Sequence, residues 1–149
     1  IGDNHIRITT GELRFTSKLI DGRFPDYNRV IPQSTDKSAV INRDQLRQAL
    51  TRTSILSNEK YRGIRLDLSE NNMKIQAHNP EQEEAVEEIE ARYEDESIVV
   101  GFNVTYLLDV LNVIETEDVE LHMSDANSSA LINNPGGQEC RYVVMPMRL

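Results

Sequence analysis

The chain has 149 residues, a formal net charge of −9 and 38% hydrophobic residues, which suffices for one domain, or one domain plus a fragment, with a lean core. Its single cysteine, Cys140, excludes an intramolecular disulfide, and there is neither an apolar run of about 18 residues nor a signal-peptide pattern, so we expect a soluble cytoplasmic protein. The negative charge disfavours a direct grip on nucleic acid through the surface as a whole.

The first part of the chain predicts a β-hairpin followed by a linker. His5 to Thr9 alternates in polarity, Thr10-Gly11 makes a turn, and Glu12 to Ile20 predicts a second strand. Residues 24–34 contain two prolines and few periodic apolar positions, which is typical of a connection between domains. We therefore expect the chain to begin in one domain and to cross into another.

From Ser38 onward the pattern predicts the order β-α-β-β-β-β-α-β-β-β. The first helix follows Asn42, which forms a capping-box pattern with Gln45, and it should end near Ser57-Asn58. The second helix follows Asn103 and carries an apolar stripe. This order predicts an α+β domain in which an antiparallel sheet packs on two helices. The strands are predicted at Ser38 to Ile41, Tyr61 to Leu68, Met73 to Ala77, Glu83 to Tyr93, Ile98 to Phe102, Val119 to Met123, Ser129 to Ile132 and from Tyr142 to the end.

The window from Glu81 to Glu96 is strongly acidic. It holds nine carboxylates, and Arg92 is its only base. One interpretation is a solvated edge strand that its charge protects against aggregation. The other is a docking strip for a basic surface.

The last eight residues, Tyr142 to Leu149, are mostly apolar and contain Pro146 between two methionines. Pro146 cannot donate to a β-ladder, so the final residues should leave the sheet or lie on its edge. Methionine is frequent at surfaces that adapt to several partners. The segment is therefore either a last core strand with an irregular tail or a binding surface.

Catalytic patterns are sparse. His5, His78 and His122 are isolated and lack metal-ligand spacing, which is typical of ordinary strand histidines. Glu87 and Glu88 are adjacent, so on a strand they face opposite sides and cannot act as an acid/base pair. We expect no catalytic residue, no metal site and no cofactor.

Five segments together resemble the bacterial DNA polymerase III β subunit, the sliding clamp, and most closely its gammaproteobacterial members. They are Phe24 to Pro32, Ile55 to Lys60, Asn79 to Ala85, Gly101 to Leu111 and Tyr142 to Leu149. The resemblance implies the DNA-clamp fold and covers the whole chain. Members of that family carry three similar domains, and this chain resembles the end of the second domain (residues 1–27) and the whole third domain (residues 28–149). The resemblance thus implies a C-terminal fragment.

The resemblance implies a processivity clamp for DNA replication. Two family chains join head to tail as a homodimeric ring around duplex DNA, which they hold without sequence specificity, and helices line the hole. Four cations on or near the first helix are the candidates for a basic surface that faces the DNA; the alternative is that they only solvate the helix. They are Arg43, Arg47, Arg52 and Lys60.

The resemblance also implies a hydrophobic pocket that docks DNA polymerases, the clamp loader and repair proteins through peptides of the Gln-Leu-x-Leu-Phe kind. Tyr61 replaces the more usual Phe, and Asn127 replaces a common hydrophobe. The matching pocket positions are Pro25, Arg29, Val30, Tyr61, Asn103, Tyr106, Ser129, Val143, Val144, Met145, Pro146, Met147, Arg148 and Leu149.

The third surface that the resemblance implies is the dimer joint with the first domain of the neighbouring protomer. Its matching positions are Ile55, Leu56, Glu81, Glu83, Glu84 and Glu87. That neighbouring domain is not in this sequence, so we predict that this chain alone cannot close a ring.

The rival hypotheses for the function of the protein are an acidic DNA mimic or protein-interaction module, and a small hydrolase with an unrecognised carboxylate site. No membrane partner is expected.

Overall fold

The structure is a computed structural model that describes residues 4–22, 26–32, 35–137 and 140–148, with Arg29 described by its backbone alone. Within these ranges the elements follow the predicted order. They are β1 (His5–Thr10), β2 (Leu13–Lys18), a short 3-10 helix (Tyr27–Arg29), β3 (Lys37–Asn42), α1 (Arg43–Ser54), β4 (Gly63–Ser69), β5 (Asn72–His78), β6 (Glu84–Glu90), β7 (Ile98–Asn103), α2 (Val104–Val113), β8 (Asp118–Met123), β9 (Ala130–Asn133) and β10 (Tyr142–Val144).

The strands from β3 onward are divided between two four-stranded antiparallel sheets, with the orders β10-β9-β8-β3 and β6-β5-β4-β7. The α+β class is confirmed, although the sequence predicted a single sheet. An isolated bridge joins the two sheets, because Val40 and Arg92 exchange backbone hydrogen bonds of 3.0 and 2.9 Å. Alternation of polarity identifies a strand but not its neighbours, and β3 pairs with β8, which lies far along the chain.

Helix α1 begins where the sequence predicted and ends earlier. The Asn42 side chain accepts a hydrogen bond from the Gln45 amide at 3.1 Å, which confirms the N-cap. The helix stops at Ser54 instead of Ser57-Asn58, because the amides that follow bond three residues back: Ile55 to Arg52, Leu56 to Thr53 and Ser57 to Ser54. This tighter winding keeps a helical spacing of side chains, so the apolar pattern could not mark the end of the α-helix.

Two strand boundaries also differ from the prediction. Tyr61 lies before β4, because Arg62 has a φ of 52°, in the left-handed region that interrupts a strand. The acidic strand ends at Glu90 instead of Tyr93, since Arg92 switches to pair with Val40 of the other sheet.

The core lies among the two helices and the inner faces of both four-stranded sheets. Its largest fully buried side chains include Tyr93, Phe102, Leu50 and Leu111. The Tyr93 hydroxyl donates to the Glu96 backbone oxygen, which satisfies its polar group. Burial, followed by the nearby Asp95 and Glu96 charges, raises the pKa of Tyr93.

The predicted β-hairpin is confirmed and forms a separate two-stranded sheet from β1 and β2. Ile8 pairs with Phe15, and Thr10 pairs with Leu13, so the apolar side chains of Ile8, Leu13 and Phe15 lie on one face of the hairpin. That face is open: Ile8, Leu13 and Phe15 are 54%, 74% and 62% exposed. The hairpin therefore contributes nothing to the buried core.

Candidate functional site

The terminal segment crosses from one sheet to the other. Strand β10 lies at the edge of its sheet, where Val144 pairs with Ala130 and is buried. The strand ends there, as expected from Pro146, and the Met147 amide then donates to the Gly101 oxygen of β7 at 2.9 Å. This hydrogen bond fastens the tail to the second sheet and gives Met147 a defined position.

A cleft of about 310 Å³ opens beside this tail. Three predicted pocket residues line it together: Met147 and Arg148 of the tail, and Tyr61, which is far from them in sequence. Tyr61 is 56% exposed, and Met147 is half-buried. The cleft therefore combines an aromatic wall, a flexible thioether and a cation, a mixture suited to a peptide side chain.

The sequence did not identify the other lining residues, Asn58, Gly63 and His78. Asn58 lies in one of the segments that carry the resemblance, and Gly63 follows Tyr61 closely, so proximity in sequence could have suggested both. His78 had no such indication, because an isolated histidine at a strand end is ordinary. Only the pairing of β4 with β5 brings it to the cleft.

The loop that presents Tyr61 is held by hydrogen bonds. The Asn58 side-chain oxygen accepts from the amides of Lys60 and Tyr61 at 2.9 and 3.0 Å. The Asn58 backbone oxygen accepts from the Arg62 amide at 2.8 Å, and the Asn103 side chain donates to the Tyr61 oxygen at 3.3 Å. The ring is thus presented by an ordered loop, which lowers the entropy lost when a partner binds.

Asn103 has a second structural role. Its side-chain oxygen accepts from the Thr105 amide at 2.9 Å, which confirms it as the N-cap of α2. It therefore supports the cleft without lining it, since its amide nitrogen holds the Tyr61 loop.

The remaining predicted pocket residues that the structure describes do not line this cleft. Ser129 donates to the Met145 sulfur at 2.9 Å, so these two are in contact with each other. Val30 and Tyr106 are 40% and 58% exposed. Val143 and Pro146 are half-buried and Val144 is buried. Pro25, Leu149 and the side chain of Arg29 lie outside the described residues.

Asn127, predicted as a departure from the usual apolar wall, lies in a polar turn. Its amide donates to the Asp125 carboxylate at 2.7 Å, and the Ser128 hydroxyl donates to the same group at 2.7 Å. These bonds, the Ser128 hydroxyl first, lower the pKa of Asp125. The turn therefore contributes a charge near Ser129 in sequence instead of an apolar surface.

The acidic strand β6 is an edge strand, hydrogen-bonded to β5 on one side and to no other strand of the described residues on its other side. Its side chains alternate between exposed Glu84, Glu88 and Glu90 and half-buried positions such as Glu87. Of the other predicted interface residues, Glu81 and Glu83 precede the strand. Ile55 is 76% exposed, and Leu56 is half-buried.

Two residues assigned to different surfaces are in contact. Arg52 Nε and Nη2 donate to the two carboxylate oxygens of Glu87 at 2.7 and 2.9 Å. This bidentate bond holds the pKa of Glu87 below its ordinary range, although partial desolvation opposes the shift. The predicted DNA-facing helix and the predicted dimer joint are thereby linked by one ion pair.

The other three predicted DNA-facing cations also have partners. Arg43 is 25% exposed at its side chain, donates to the Ile114 oxygen at the end of α2, and forms an ion pair with Asp44 at 3.0 Å. Arg47 lies 3.6 Å from the same Asp44 carboxylate. The Lys60 ammonium lies 5.2 Å from the centre of the Tyr61 ring. The charges of Arg43 and Arg47 are therefore partly balanced by Asp44.

Among the described residues, no helix is long and apolar enough to cross a membrane. The same residues contain no group of three or more His, Cys, Asp or Glu side chains that could hold a metal ion.

Comparisons with known proteins agree on one relationship. Residues 28–148 match the family model described as "DNA polymerase III beta subunit, C-terminal domain". The chain is 62% identical over all its 149 residues to the beta sliding clamp of Pseudomonas putida, of which it covers 41%. It spans well under half of the length of the curated relatives that it matches.

Solved structures show the same similarity. The DNA polymerase III subunit beta of Pseudomonas aeruginosa has a TM-score of 0.89 at 60% identity, covering 100% of this chain and 41% of that one. A sliding clamp of Pseudomonas aeruginosa bound to griselimycin has a TM-score of 0.85 at 60% identity, covering 100% of this chain and 40% of that one. The similarity therefore extends over the fold of the entire chain.

Proposed function

This chain belongs to the family of the C-terminal domain of the DNA polymerase III beta subunit, and from this premise we propose that it is the C-terminal part of a replication processivity clamp acting in the cytoplasm. Its role in that assembly is to dock polymerases, the clamp loader and repair proteins through short peptides of the Gln-Leu-x-Leu-Phe kind. Family membership favours this function over the acidic DNA mimic and the hydrolase.

The observation that carries this proposal is the cleft that unites the Tyr61 loop with the Met147-Arg148 tail. Both walls are ordered by hydrogen bonds that their backbone amides donate, and the exposed Tyr61 and half-buried Met147 present apolar surface to solvent. Preordered apolar anchoring sites of this kind dominate the affinity of small peptide interfaces.

Fluorescence anisotropy of a labelled Gln-Leu-x-Leu-Phe peptide tests the proposal. We expect the peptide to bind this chain, and Tyr61→Ala to weaken binding by roughly tenfold or more, as is typical for loss of an aromatic anchor. Removal of residues 147–149 should abolish binding. Phe15→Ala, which removes an aromatic ring of similar exposure on the hairpin, is the matched control and should bind like the parent. Equal binding after truncation, or none by a parent sample with a folded circular dichroism spectrum, would contradict docking at this cleft.

We further propose that the outer edge of β6 and the neighbouring Ile55 form the joint with a second protomer. An unpaired strand edge can extend a sheet across an interface, and the exposed glutamates would attract a basic partner surface. The large exposed fraction of Ile55 supports this proposal. In the complete ring, Arg43, Arg47, Arg52 and Lys60 would face the encircled DNA.

The domain division is also a proposal. Residues 1–27 would complete the preceding clamp domain, and residues 28–149 would form the C-terminal domain. Support comes from the hairpin, which forms its own sheet and exposes the apolar side chains of Ile8, Leu13 and Phe15. Such a face requires cover from further protein, since a two-stranded hairpin alone is marginally stable.

A further inference from the structure

The cleft beside the tail extends past the residues that the docking proposal requires. His78, at the end of β5, and Asn58, in the loop after α1, form its far part, together with Gly63 at the start of β4. None of these three belongs to the set of pocket positions inferred from the resemblance. The polar groups of this far part therefore indicate which chemical groups of a docked peptide could bind there.

The polar groups of the cleft are mostly hydrogen-bond donors. The side-chain oxygen of Asn58 already accepts two backbone amides, which leaves its NH₂ group as the available half of the amide. Arg148 offers a guanidinium, which donates only, and His78 offers an imidazole N–H. Lys60 is not among the residues that line the cleft, but its ammonium lies over the Tyr61 ring. A complementary ligand must therefore supply acceptors.

The nearest acceptor groups within the chain do not satisfy these donors. Neither the His78 imidazole nor the Arg148 guanidinium forms a hydrogen bond or ion pair with another described residue. Glu84, which pairs with His78 in the sheet register, accepts a hydrogen bond from Gln76 at 3.1 Å. The donors remain available to a group that enters from solvent.

Resting on the proposed docking function, we propose that this cleft binds a carboxylate side chain of the docking peptide, next to its apolar anchors. The aliphatic part of a Glu or Asp side chain would pack on Tyr61 and Met147, while its carboxylate accepts from Arg148, His78 and Asn58. Charge-assisted hydrogen bonds of this kind are shorter and stronger than neutral ones. The cleft thereby selects among peptides that share the same apolar anchors.

Matched peptide pairs test the inference. Labelled Gln-Leu-x-Leu-Phe peptides with an amidated C terminus carry Glu or Gln at each of the two positions on either side of the motif. The amide removes the main-chain carboxylate, so a gain in affinity must come from the side chain. We expect at least one Glu peptide to bind roughly five- to tenfold more tightly than its Gln counterpart.

Three variants locate the effect through the ratio of the two Kd values, which is insensitive to a general loss of affinity. Arg148→Gln and His78→Gln should each reduce the ratio toward one. Lys74→Gln removes a cation from the same strand, four residues from His78, and should leave the ratio unchanged.

Equal Kd values in every pair would overturn the inference while leaving the docking function intact. If Lys74→Gln reduced the ratio of Kd values as much as Arg148→Gln does, the inference would also be overturned. The tighter binding of the Glu peptide would then reflect the overall positive charge near the sheet instead of contacts in the cleft. Binding of no peptide at all would refute the docking function, and this inference with it.

Discussion

Arg52 and Glu87 connect the last turn of α1 to the edge strand β6 through two short hydrogen bonds. The side chains are 54% and 28% exposed, so solvent screens the pair and its contribution to stability is small. Its larger consequence is geometric. The Glu87 carboxylate is held against helix α1 of the same chain, and a basic residue of a neighbouring protomer would have to compete with Arg52 for it.

We predict that Arg52→Gln raises the pKa of Glu87 toward its ordinary value, because the hydrogen bond from Arg52 is the main cause of the depression. The pKa follows from the pH dependence of the side-chain carboxyl resonance in NMR spectra. Arg47→Gln is the control, since Arg47 pairs with Asp44 and should leave Glu87 unchanged. A Glu87 titration that is identical in the parent and Arg52→Gln would contradict the assignment.

The sign of the accompanying stability effect follows from linkage. A carboxylate with a depressed folded-state pKa stabilises the fold above its unfolded-state pKa, and this contribution is lost as pH falls through the folded-state value. The destabilisation caused by Arg52→Gln should therefore be present at neutral pH and vanish in acid.

At the scale of the elements, helix α2 has one buried side and one exposed side. Leu111 is fully buried, whereas Val113, two residues later, is 59% exposed. These positions face different environments because successive helix residues are rotated by about 100°. The helix is held by its apolar stripe, since it contains no basic residue in its last turn and no acidic residue in its first.

Leu111→Ala should lower the free energy of unfolding by about 2–5 kcal/mol, through lost burial and the cavity that remains. The matched change Val113→Ala, on the same helix, should alter it by less than about 0.5 kcal/mol. Urea denaturation followed by circular dichroism measures both. Similar losses for the two variants would show that α2 packs differently from the structure.

At the scale of the whole molecule, two four-stranded sheets and two helices share one core, and the hairpin forms a third sheet outside it. The terminal tail adds a connection between the two larger sheets through the Met147 amide. The candidate cleft is lined by the second sheet, the loop before it and the tail, so it depends on where the tail lies after it leaves the first sheet.

We predict that the 149-residue chain alone is a monomer of 17.0 kDa at micromolar concentration. The proposed joint needs the first domain of a neighbouring protomer, which this sequence does not supply. Size-exclusion chromatography with light scattering measures the mass, and a version beginning at residue 28 controls for association through the exposed hairpin face. A stable ring-like dimer of the parent chain would contradict the prediction.

Local sequence determined much of this protein. The caps at Asn42 and Asn103, the order of the elements from β3 onward and the exit of the tail at Pro146 all depend on residues within a few positions of one another. Short-range backbone chemistry specifies such features, so they can be predicted from sequence alone. The resemblance added the family, which the comparisons confirm.

The tertiary structure decided which distant elements meet. It divided the strands between two sheets, paired Arg52 with Glu87 and brought His78 to a cleft with Met147 and Arg148. Polarity patterns have periods of 2 and about 3.6 residues and carry no information about partners tens of residues away. Those contacts are determined by packing of the whole core, and the candidate site is built from them.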